Sequence, residues 1–204
     1  VVLTRPDPPD FAGAPDHPID RFVVEHARRH GETLEPIVDD ARFLRRVSLD
    51  LVGLLPSVDT QQSVVGDDDP LKRTELVDGL LADAPAYAAH WMSFWNDLLR
   101  NDYAGTGYID GGRRQITPWL YQALRDNMPY DDFTRALVDP TTEASAGFAA
   151  GIKWRGEASA SQVPELQYAR SVAQVFLGAN LKCASCHDSF VNHWTLADTY
   201  GLAA

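Results

Sequence analysis

The sequence predicts an all-α fold, an irregular multi-helix domain with long loops. Three observations carry this. Apolar residues recur at spacings of three and four along most of the chain, most of these stretches open at a capping residue or a proline, and strand-like alternation is almost absent. With 45% apolar and 23% charged residues, 204 residues can bury a core without staples. Residues 1–16 hold Pro6, Pro8, Pro9 and Pro15 and read as a linker or extended arm. His17-Pro18 then opens a helix with Ile19, Phe22, Val23 and Ala27 on one face, closed by Gly31. Asp39 and Asp40 precede a stripe of Phe43, Leu44, Val47 and Leu51 that ends near Gly53 and Pro56. Asp69-Pro70 is a cap and first turn ahead of Leu76, Val77, Leu80 and Leu81. After Pro85 come Trp91, Trp95, Leu98 and Leu99. Thr117-Pro118 opens a helix through Leu124, and Pro129-Tyr130-Asp131 turns into a short one carrying Phe133 and Leu137. Ser161 and Pro164 begin the last, with Leu166, Ala169, Ala173, Phe176 and Leu177, halted by Gly178. Glycine-rich residues 104–112 and the long stretch 139–161 read as loops, the second of a length that is often functional.

Charge narrows the classes of function. Eighteen Lys and Arg against 29 Asp and Glu leave a formal charge of −11, which argues against a nucleic-acid binder. No apolar run reaches the length of a transmembrane segment. The chain opens at Val1 without an initiating Met or a leader, and it reads as an excised piece of a longer protein.

The two cysteines fall in Cys183-Ala184-Ser185-Cys186-His187, and C-x-x-C-H is the attachment spacing of a c-type haem. Two thiols three positions apart on a helical turn lie on one side, and His187 follows to reach the iron from the same face. Two other readings exist. A thioredoxin-like redox pair follows a strand in a βαβ pattern, and a zinc site needs about four ligands. Only His187 sits beside the two cysteines. Arg155 and Lys182 are candidates to pair with haem propionates. From Lys153 to His187 there are four Lys and Arg against two Asp and Glu, a local excess of positive charge in an acidic chain.

Several blocks resemble the planctomycete cytochrome (PSCyt) domain family. Cys183 to Asp188, Trp194-Thr195 and Tyr200-Gly201-Leu202-Ala203-Ala204 resemble its end, and Ile19-Asp20-Arg21-Phe22-Val23 resembles its first helix. Arg45 to Leu54, Leu76 to Leu81 and Met128-Pro129-Tyr130-Asp131 with Phe133 fit in order. The resemblance covers about residues 17–204. It implies an exported, periplasmic or otherwise extracytoplasmic bacterial protein with one covalent haem c, and a further domain C-terminal to this one. Where many members read His-Trp this chain has Phe94-Trp95, and where many have His-Pro-Phe it has Ser189-Phe190-Val191.

Those departures leave few residues for the iron position opposite His187. His90 and Met92 lie about 200° apart on one helix, so only one of them faces a haem. His90 shares a face with Phe94, where many relatives carry their histidine, and is the preferred iron ligand; a water-filled or empty position and Met92 follow. His26 and His30, four apart, suit a metal, yet His30 just before Gly31 also suits a helix C-terminus on electrostatic grounds alone. Trp91, Trp95, Trp119, Trp154 and Trp194 are either haem-pocket walls or plain core. The expectation is a monohaem c-type cytochrome domain carrying electrons in an exported oxidoreductase assembly. Its partner would be a redox protein or the C-terminal domain of the same precursor. The alternatives are a haem enzyme with an open axial position and a scaffold with a structural haem.

Overall fold

A computed structural model describes residues 6–99, 116–150 and 163–204. Among these residues it is all-α, with ten helices and no strand.

The Pro-rich arm is tied to the first helix, α1 (Pro18–His30): Arg21 Nε donates to the Pro15 carbonyl at 2.7 Å, and the Arg28 guanidinium lies over Phe11. The left-handed Gly31 ends α1, as its position after the last apolar residue predicts. Asp39 caps α2 (Asp40–Val52), accepting from the Arg42 N–H at 2.8 Å, and Gly53 at φ +71° closes it. Next comes a helix that the apolar pattern does not predict, α3 (Val58–Gly66), opened by the Ser57 hydroxyl accepting from the Thr60 N–H.

Helix α4 (Lys72–Ala82) begins beyond the predicted Asp69-Pro70 start. Asp69 accepts from the Leu71 N–H at 2.7 Å, and this local turn occupies the residues expected to form the first helical turn. α4 is clamped to α2 by Asp40, which faces Lys72 at 2.7 Å and Arg73 at 2.6 Å. These hydrogen bonds, and the two cations behind them, hold the Asp40 carboxyl below its ordinary range.

The long helix α5 (Ala84–Leu99) joins the two halves, packing on α2 and α4 at one end and on α6 (Thr117–Arg125) and α9 (Pro164–Phe176) at the other. The main core lies at that second end. Leu99, Ile116, Leu120, Phe133, Leu137 and Phe148 are all buried there, drawn also from α7 (Tyr130–Val138) and the short α8 (Gly147–Ala150). α8 falls within the predicted 139–161 loop; residues 151–161 of that loop and all of 104–112 lie outside the described residues. Finally α10 (Leu196–Ala203) packs on α9. Its start is a capping box: the Thr195 hydroxyl accepts from the Asp198 N–H, and the Asp198 carboxylate accepts from the Thr195 N–H. No helix among the described residues is long and apolar enough to cross a membrane.

Candidate functional site

The Cys-x-x-Cys-His segment hangs between α9 and α10. Gly178, at φ +61°, turns the chain away from α9, and the N–H groups of Leu177 and Ala179 both reach the Ala173 carbonyl. Residues 181–187 then form one helical turn, in which the Ser185 N–H donates to Leu181 and the N–H groups of Cys186 and His187 donate to Cys183.

The turn has two sides because its periodicity is helical. Leu181 and Ala184 are buried against Ala173 and Ala179, with Trp194 packed over them. Ser185 is buried too, and its hydroxyl donates to the Lys182 carbonyl at 2.9 Å. The small residues between the cysteines are therefore the ones that face the protein. Cys183, Cys186 and His187 face outward, and both thiols are free.

His187 is held in one tautomer. Its Nδ1 lies 2.7 Å from the Asp188 carbonyl oxygen. A carbonyl only accepts, so Nδ1 is the donor in this bond, and in the neutral ring Nε2 is the nitrogen with the lone pair. The Asp188 side chain reaches the other way, accepting from the Leu196 N–H at 2.9 Å, and so fastens the turn to the first residue of α10. Phe190 stacks on the His187 ring with centroids 4.7 Å apart. Phe190 and its neighbour Val191 are 88% and 82% exposed, an unusual amount of apolar surface beside a polar motif.

This donor set fits a covalent haem. It offers two unpaired thiols three residues apart on one exposed side, an imidazole with a free Nε2 next to them, and apolar side chains that a macrocycle would cover. By contrast, no three His, Cys, Asp or Glu side chains among the described residues converge to hold a bare metal ion.

The other residues singled out in the sequence are spread over the fold. His90 sits on α5 at its seam with α2, its ring against the Cα of Gly53 and edge-on to Trp91. Its ring meets Trp91 and its carbonyl accepts from the Ser93 hydroxyl, and neither contact leads to the motif. Met92 and Met128 pack on the main core, as do Trp95 and Trp119. Of the four tryptophans within the described residues, Trp194 backs the motif, with His193 tilted against it. Trp154 and Arg155 lie outside the described residues. Lys182 is exposed within the turn itself. Asp188 and Phe190 are the site residues that sequence reasoning missed. Asp188 meets His187 through its backbone carbonyl, which any residue would supply, so its side-chain type carried no signal for that contact.

No curated protein and no solved structure matches the chain. A family model does, over residues 18–204: PSCyt2, described as a protein of unknown function (DUF1549). With nearly its whole length matched, the chain belongs to this planctomycete-cytochrome-type family.

Proposed function

We propose that this chain is a monohaem c-type cytochrome domain that carries electrons within an exported oxidoreductase assembly. Cys183 and Cys186 would hold the haem through thioethers, and His187 would ligate its iron through Nε2. The single observation behind the assignment is the outward side of the 181–187 turn, where both thiols and a tautomer-locked imidazole stand together. When bound, the haem iron supplies one-electron redox chemistry. The chain's own part is positional. Asp188 keeps the proton on Nδ1, Trp194 and the buried Leu181 and Ala184 hold the turn against α9, and Phe190 backs the imidazole. A backbone acceptor on the far nitrogen is how proteins commonly orient a metal-bound histidine.

A separate proposal concerns the iron position opposite His187. The residue proposed for it is His90 on α5. Export follows from the thioether chemistry, which takes place outside the bacterial cytoplasm in the systems the motif implies. The partner would be a redox protein or a further domain of the same precursor.

The electron-carrier role is tested on the haem-loaded chain by optical spectroscopy and redox titration. It predicts six-coordinate, low-spin iron that cycles reversibly by one electron. High-spin iron that binds small exogenous ligands would overturn it in favour of a haem enzyme with an open axial position. His90→Ala turning that low-spin spectrum high-spin would support His90 as the second ligand, and an unchanged spectrum would remove it.

A further inference from the structure

We propose that the cleft between α2 and α3 binds a small organic carboxylate with an aliphatic body, its charged head on Arg42 and Arg45. The cavity encloses about 310 Å³, at the lower end of ligand-pocket volumes. Arg42, Arg45 and Gln61 supply its polar lining, and Leu44, Leu55 and Pro56 its apolar one. Local structure brings them together. Arg42 and Arg45 are three apart on α2 and so are neighbours on its surface. Gly53 turns the chain at the end of α2, Leu55 and Pro56 follow, and the helix opened at Ser57 carries Gln61 to the same cavity.

The charge at this cleft runs against that of the chain. No Asp or Glu lines it, although 29 acidic residues outnumber 18 basic ones. The carboxylates nearest in sequence are engaged elsewhere. Asp40 is taken by Lys72 and Arg73. Asp39 accepts from the Arg42 N–H at 2.8 Å through Oδ1, and its Oδ2 stays 3.6 Å from Arg42 Nε, longer than a charge-assisted hydrogen bond. Arg45 is exposed and has no ion-pair partner among the described residues. Two guanidiniums at this spacing repel each other, and a bound anion offsets that repulsion.

The lining also selects the kind of anion. A guanidinium fork matches the two oxygens of a carboxylate, and Gln61 has an amide N–H to add. Leu55 is 58% exposed, and an aliphatic body seated in the cleft would cover it. A bare inorganic anion leaves that apolar surface in water, and a neutral hydrocarbon leaves two cations without counter-charge. The cleft shares no residue with Cys183, Cys186 and His187, so its test is independent of the haem.

Isovalerate is the probe. It is titrated into the full chain labelled with ¹³C and ¹⁵N, and the arginine Nε–H and leucine methyl signals are followed by NMR. Arg42, Arg45, Leu44 and Leu55 are expected to shift together along one saturating curve. Isovaleramide, of the same shape without the charge, should bind about tenfold more weakly, and so should inorganic phosphate. Arg45→Gln should weaken isovalerate binding about tenfold, and Arg45→Lys, which keeps the charge but loses the fork, should weaken it less. Position 45 is exposed, so both variants should keep their helical signal. The proposal is overturned if Arg42 and Arg45 show no saturating shift, or if Arg45→Gln binds as tightly as the unaltered chain. Isovaleramide or phosphate binding as tightly as isovalerate would equally overturn it.

Discussion

Gly53→Ala is expected to destabilise the fold through a contact with His90. Gly53 has φ +71°, and a Cβ built there lies 2.2 Å from His90 Nδ1 and 2.9 Å from its Cγ. Ordinary contact distances begin near about 3.5 Å, so the ring has to move by more than an ångström. A left-handed backbone costs a non-glycine residue about 1–2 kcal/mol. Displacing a packed ring adds about 1–3 kcal/mol. Lower entropy of the unfolded chain returns about 0.4–1 kcal/mol. The midpoints give a net loss of about 3 kcal/mol. His90→Ala removes the clash but not the backbone strain, so the double variant should recover about 2 kcal/mol relative to the sum of the single effects. Urea denaturation followed by circular dichroism at neutral pH measures all four corners of this cycle. Additivity to within about 0.5 kcal/mol would refute the packing of His90 on Gly53.

Asp40→Asn should lower stability at neutral pH and flatten its dependence on acid, as read from urea midpoints across pH. The folded Asp40 carboxyl lies below its ordinary range, so its contribution is present above the unfolded value near about 4 and is lost as the pH falls through the folded value. An Asn variant that loses stability in acid as steeply as the unaltered chain would contradict the clamp to Lys72 and Arg73. Thr195→Ala removes the hydroxyl that accepts from the Asp198 N–H, leaves the Thr195 N–H on the Asp198 carboxylate, and should cost about 1 kcal/mol in the same melts. Amide exchange in α10 should quicken, and unchanged protection there would show that the box does not hold the helix.

The helices that open with a proline in their first turn, α1, α6 and α9, could be read directly because the signal is local. α3 has few apolar positions on any face, and its main mark is the Ser57 cap. α10 carries a glycine at position 201, and only the Thr195…Asp198 box announces it. The attachment spacing was legible for the same local reason: a helical turn must present both thiols within a few residues. What surrounds it was not. Phe190 stacks on His187 within a segment, residues 188–195, that folds back, with the Ser189 N–H on the Trp194 carbonyl and Asn192 reaching toward Asn180. His90 illustrates the limit of helical periodicity. Its spacing places it on a face, but only the three-dimensional packing sets its ring on Gly53.

Covalent haem is measured most directly as the intact mass of the chain expressed in an exported form with the c-type attachment machinery. The predicted result is a gain of one haem that survives acid–acetone extraction and disappears in the Cys183→Ser, Cys186→Ser variant. A folded, colourless chain at its bare polypeptide mass from the same host would contradict the assignment of Cys183, Cys186 and His187.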